Sequence, residues 1–74
     1  MHLNELSKKD RAVIKKVNAS SELRHRLNSF GVMRGVELEV KAFSLKKQTI
    51  EIEVNHSHIA LRFEEAEKIE VEKI

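Results

Sequence analysis

From Val36 to Phe63 the apolar residues keep a period of two, and this alternation constrains the fold more than any other feature of the chain. Val36, Leu38, Val40 and Ala42 point one way while Glu37, Glu39 and Lys41 point the other, the pattern of a strand with one face buried and one in water. Ile50, Ile52 and Val54 alternate in the same manner with Thr49, Glu51, Glu53 and Asn55, and the polar-rich residues between Phe43 and Thr49 suffice for a hairpin. Asn55-His56-Ser57 reads as a second turn, after which Ile59, Leu61 and Phe63 alternate with Ala60 and Arg62. These runs predict an antiparallel meander.

The flanking segments carry other signals. Leu3 and Leu6, three apart, lay a short lead-in on the domain, and Ala12-Val13-Ile14-Lys15-Lys16-Val17 is β-branched-rich enough for a strand despite imperfect alternation. Ser20 or Ser21 opens a helix running to Phe30, with Leu23, Leu27 and Phe30 at i, i+4 and i+7 expected to face the core. Gly31, directly after Phe30, suits the left-handed residue that ends a helix, and Gly35, closing the turn Met33-Arg34-Gly35, is counted with it as structural. Phe63 to Glu67 reads as one helical turn, and Ile69 and Val71 alternate with Glu70 and Glu72 in a last strand.

A chain of 74 residues holds one domain, spanning 1–74, and buries only roughly 60% of the surface its unfolded form exposes. Without cysteine it has no disulfide to offset that thin core. Short strands with one helix do not make two sandwich layers, and an open sheet leaves unprotected edges. The expected fold is mainly β with one inserted α-helix: a small SH3-like, partly open β-barrel in the order β-α-β-β-β-turn-β. The last strand returns to the edge of the first, and the helix caps the barrel.

Several function classes are excluded by composition. Zero cysteine removes thiolate metal sites and thiol catalysis, and two glycines are too few for a phosphate-cradling loop. No apolar run approaches the ~18 residues of a membrane span, and no signal peptide is visible, so a cytoplasmic protein without membrane insertion is expected. The net charge of +2 does not demand nucleic acid, and Lys8, Lys9, Arg11, Lys15 and Lys16 lack the exposed aromatic platforms that accompany single-strand binding. No oriented triad or paired-carboxylate cleft is indicated, so the chain is not expected to be an enzyme or to carry a cofactor.

His56 and His58 are the candidate metal ligands, because residues two apart on an extended strand leave the same face. Two imidazoles do not complete a tetrahedral site, and the reading assigns no metal there. Glu64, Glu65, Glu67, Glu70 and Glu72 lack calcium-loop spacing and read as a solvated face. His2 and His25 read as solvent histidines. Arg24, His25 and Asn28 lie opposite the apolar stripe of the helix, and Met33 and Arg34 adjoin them across the Gly31 turn. These five are the expected partner-binding residues, since Met offers an adaptable apolar contact and Arg a planar fork for carboxylates.

Taken in order, Leu23-Arg24-His25-Arg26-Leu27, Phe30-Gly31-Val32-Met33-Arg34-Gly35-Val36-Glu37-Leu38-Glu39-Val40, Ile59-Ala60-Leu61-Arg62 and Glu65-Ala66-Glu67-Lys68-Ile69 resemble the FeoA family of bacterial ferrous iron transport. Leu3-Asn4-Glu5-Leu6 is similar to the family's opening Leu-x-x-Leu. The turns at Ser7-Lys8-Lys9-Asp10 and Asn55-His56-Ser57-His58 depart from the family's usual Pro-Gly and Gly-aromatic turns. The resemblance implies an SH3-like fold and a cytosolic helper of the membrane ferrous iron permease FeoB, acting on that permease or its GTP-binding domain. The family's barrel is also similar to the C-terminal domain of iron-dependent repressors, which makes a free-standing regulatory domain the alternative.

Overall fold

The period-two runs form the strands expected of them. The computed structural model describes residues 1–74 as β1 (Arg11–Val17), α1 (Ser21–Ser29), β2 (Glu37–Phe43), β3 (Thr49–Val54), β4 (Ser57–Arg62), α2 (Phe63–Ala66) and β5 (Ile69–Lys73). Short 3₁₀ turns occupy Leu3–Glu5 and Leu45–Lys47. The sheet order is β4-β3-β2-β1-β5, antiparallel at every pairing, so the last strand does return to the first. The sheet is not closed: β4 and β5 form its two edges.

Two bulges bend the sheet and account for the places where alternation failed. In β1 the register against β5 shifts between Ile14 and Lys16, which leaves Lys15 and Lys16 both exposed after buried Ala12 and Ile14. In β2 the register against β3 shifts between Val40 and Ala42. Phe43 therefore packs on the core, where the sequence reading expected Ala42 to point inward and left Phe43 unplaced. Phe63, expected as the last inward residue of a strand, instead begins α2, half-buried with its ring centroid 6.3 Å from that of Phe43.

The interior holds 16 buried side chains, all apolar, and no buried polar group. Leu3 and Leu6 of the lead-in belong to it, as do Leu38, Val40, Ile50, Ile52 and Val54 of the meander. Burying a side chain of this size contributes about 1.5 to 3 kcal/mol, the main return such a short chain has against its conformational entropy.

The helix stripe requires one correction. Leu27 is fully buried and Leu23 packs against the core, but Phe30 is 47% exposed. Regular helix ends at Ser29, and Gly31 at φ +87° swings the chain round before Phe30 can turn inward. Gly31 N–H donates to Asn28 O at 3.0 Å and Val32 N–H to Leu27 O at 2.9 Å, the paired bonds of a Schellman ending. Val32, one residue past the glycine, takes the core place expected of Phe30 and is fully buried beneath the helix end.

The two sheet edges differ. Along β5, Met1 O accepts from Val71 N–H at 2.8 Å and His2 bridges Glu70, so the N-terminal residues cover that edge. β4 has no such cover. Val54 and Ser57 close a two-residue turn whose Asn55 and His56 both have positive φ, and Phe63 N–H donates to Gln48 O at 2.9 Å, so odd-numbered residues bond to β3. Arg62 N–H is taken by Glu65 Oε1 at 3.0 Å, and the amides of His58 and Ala60, directed away from β3, have no partner across the edge. Amide hydrogen exchange should be fast at His58 and Ala60 and slow at Ile59 and Leu61; protection of His58 and Ala60 equal to that of their neighbours would contradict the open edge.

Candidate partner-binding face

Ser20 caps α1 by accepting from Leu23 N–H at 3.3 Å, and the Schellman ending closes the other terminus, so both ends of this nine-residue helix are fixed. With Leu27 buried and Leu23 on the core, Arg24 and Asn28, four apart, share the outer face. Past Gly31 the chain runs through Met33 and Arg34, and Gly35 at φ +88° donates to Ile14 O at 2.7 Å, while Ile14 N–H donates to Val36 O at 2.9 Å. Those two bonds pin the turn to β1.

A groove of about 530 Å³ results, lined by Lys15, Lys16 and Val17 of β1, Arg24 and Asn28 of α1, and Met33 and Arg34 of the turn. Four of the five expected partner residues line it; His25 is exposed on the helix but is not part of the lining. Lys15, Lys16 and Val17 were not expected there. The sequence showed the lysines as a basic stretch, but only the tertiary return of α1 over β1 sets them beside Arg24 and Arg34.

The groove contains no acidic residue. Lys15 pairs with Glu72 at 3.1 Å, but Lys16, Arg24 and Arg34 form no ion pair. Arg24 Nη2 donates only to the backbone carbonyl of Ala19, at 3.3 Å. Met33 is 43% exposed, and with Val17 it supplies the groove's apolar surface.

The outer sheet face carries the opposite charge, with Glu37, Glu39, Glu51 and Glu53 against Arg11 and Lys41, and most of these groups are paired. Lys41 Nζ lies 3.0 Å from Glu53 Oε1 and 3.2 Å from Glu39 Oε2, and Arg11 pairs with Glu37. The hydrogen bond from Lys41 holds the Glu53 carboxyl below the usual carboxylate range, and the same contacts, Glu53 first and then Glu39, raise the Lys41 ammonium. Burial pushes the Glu65 carboxyl up, yet the Arg62 backbone N–H and the Arg26 side chain outweigh it and keep it low, tying α2 to α1.

His56 and His58 do not share a strand face. His56 sits in the turn at φ +68°, so the extended geometry that would align the two rings stops at Ser57. His58 Nδ1 lies 3.2 Å from Glu51 Oε2 and its Nε2 4.0 Å from Glu53 Oε1, while His56 lines a hollow with Glu37, Glu39 and Glu53. No group of three or more metal-ligating side chains is gathered anywhere in the chain.

The family model described as FeoA domain matches residues 1–73. The chain belongs to the FeoA family. Fe(2+) transport protein A of Campylobacter jejuni is 43% identical over 74 residues, covering the whole of both chains. The solution structure of FeoA from Chlorobium tepidum is 36% identical with a TM-score of 0.95, covering 100% of this chain and 70% of that one. FeoA of Stenotrophomonas maltophilia, an SH3 domain protein solved with zinc, is 28% identical with a TM-score of 0.84, covering 97% and 89%. A manganese-dependent transcriptional repressor shares the fold alone, at 17% identity and a TM-score of 0.90, with the chain spanning 36% of it. FeoA proteins form an accessory family of ferrous iron transport and not an enzyme family.

In this FeoA chain the groove depends on the Gly31 turn, because that turn aims Met33 and Arg34 toward β1. A Cβ at Gly31 would lie 3.2 Å from Asn55 Nδ2 and would hold a positive φ that β-branched residues avoid. Gly31→Val should cost on the order of 1 to 2 kcal/mol, a large share of a small domain's stability, seen as a lowered urea midpoint. An unchanged midpoint would mean that the turn tolerates the strain.

Proposed function

We propose that this chain is a cytosolic accessory of ferrous iron uptake that acts by binding the membrane ferrous iron permease FeoB, its GTP-binding part included, through the outer face of α1 and the turn after it. The observation carrying this reading is the set of unpaired cations, Lys16, Arg24 and Arg34, gathered on one groove of a chain that belongs to the FeoA family. No helix is long and apolar enough to cross a membrane, so a role in transport calls for contact with a protein that does cross it. His25 flanks the contact from the exposed helix surface. The reading gives the chain no catalysis of its own.

The alternative, a free-standing regulatory domain similar to the C-terminal domain of iron-dependent repressors, draws on the likeness to the manganese-dependent repressor. That likeness is one of fold. The helices present, Ser21–Ser29 and Phe63–Ala66, do not form the paired helices with which a helix-turn-helix reads DNA, so this role would require a separate DNA-binding partner.

Capture from detergent-solubilised membranes separates the two. The immobilised chain should recover the permease, and Arg24→Glu with Arg34→Glu should abolish that recovery while leaving the urea midpoint nearly unmoved, because exposed unpaired charges contribute little to folding. Undiminished recovery by the folded double variant would move the contact elsewhere. Recovery of a DNA-binding protein in place of the permease would favour regulation.

A further inference from the structure

The chain's small net charge conceals a division of charge over its surface. Cations on the outer sheet face are matched: Arg11 with Glu37, and Lys41 with Glu39 and Glu53. Arg26 is paired with Glu65, and Lys73 with Asp10 at 3.4 Å. The groove between β1, α1 and the Gly31 turn has the reverse balance, with Lys15, Lys16, Arg24 and Arg34 in its lining, no carboxylate among them, and only Lys15 paired. Like charges gathered without counter-charge repel one another, and an anionic occupant relieves that repulsion.

Two features select the kind of anion. Arg24 and Arg34 present planar forks that match carboxylates two bonds at a time, and they stand on a capped helix and a pinned turn, so little freedom is lost on engagement. Between the cations lie Val17 and the exposed Met33, an apolar surface that a run of phosphates would leave uncovered and an aliphatic side chain would fill. The groove holds no aromatic ring on which a nucleobase could stack.

We propose that this groove takes an acidic polypeptide segment, its carboxylates on Arg24, Arg34 and Lys16 and one aliphatic side chain against Met33 and Val17. The proposal rests on the accessory reading above and specifies the part of the partner that docks: a cytosolic stretch rich in Asp and Glu with interspersed Leu, Ile or Val.

The test uses the isolated full chain and a fluorescent peptide Glu-Asp-Leu-Glu-Glu-Leu-Asp-Glu, followed by anisotropy. Binding should weaken at least about tenfold between about 0.01 M and 0.15 M salt, as the screening length shortens from ~30 to ~8 Å. Arg24→Glu with Arg34→Glu should weaken it by roughly tenfold or more, the equivalent of about 1.4 kcal/mol. Lys8→Glu with Lys9→Glu, the same change of charge at the opposite end of β1, should leave it within about twofold at a salt level where distant charges are screened. A peptide with both leucines replaced by serine should bind more weakly. No binding at low salt, equal loss in the two charge variants, or unchanged binding of the serine peptide would overturn the proposal. So would tighter binding of a single-stranded oligonucleotide with the same sensitivity to Arg24 and Arg34. If the peptide fails while permease capture still depends on Arg24 and Arg34, the acidic segment is wrong and the accessory reading stands.

Discussion

Burial of 16 apolar side chains in one core, with no polar group among them, is the constraint on which the rest of the structure depends. A chain this short has no covalent cross-link to add to it: it has no cysteine, and its ion pairs lie at the surface, where each contributes little. All five strands and the lead-in therefore turn one face to the same interior. Ala12 and Ile14 of β1 are fully buried in it, and β1 pairs with β2 over Arg11–Val13 and with β5 over Ala12–Val17, joining the meander to the last strand. A full interior leaves no enclosed cleft, so whatever the molecule recognises is met at its surface.

On that surface, the turn at Gly31 links packing to chemistry. The Schellman bonds that bury Val32 also reverse the chain so that Met33 and Arg34 approach β1, and the bulge after Ile14 puts Lys15 and Lys16 side by side on the same rim. Two local backbone irregularities thereby bring cations from three segments together. On the acidic sheet face the carboxylates are engaged instead: Lys41 bridges Glu39 and Glu53, and Arg11 holds Glu37. Membership of the FeoA family associates this chain with ferrous iron transport, and the groove is the surface proposed for its partner.

Much of the fold was legible in the sequence because period-two alternation reports directly on which face is buried. Leu38, Val40, Ile50, Ile52, Val54, Ile59, Leu61, Ile69 and Val71 are all inside, as their spacing implied. The misreadings occur where regular structure stops. Phe30 keeps the helical phase by count, but the helix has ended before it, and Val32 lies in no periodic run and so gave no signal. The bulge after Val40 moved Phe43 into the place expected for Ala42, and nothing in composition marks a bulge. Of the candidate site, the helix residues Arg24 and Asn28 followed from the stripe opposite them, whereas the contribution of β1 is a tertiary fact without local signature. His56 and His58, to which the sequence reading assigned no metal, lie one in a turn and the other on a strand.

The groove between β1, α1 and the Gly31 turn is the proposed meeting place of this chain and its partner. Heteronuclear NMR of the labelled chain during titration with the soluble GTP-binding part of the permease, once that isolated part has been captured by the immobilised chain, tests it most directly. The amide signals of Lys16, Val17, Arg24, Asn28, Met33 and Arg34 should shift together and saturate with a common affinity, while those of Glu39, Glu51 and Glu53 stay in place. Saturating shifts confined to the outer sheet face or to the open β4 edge, with the groove signals unmoved, would contradict it.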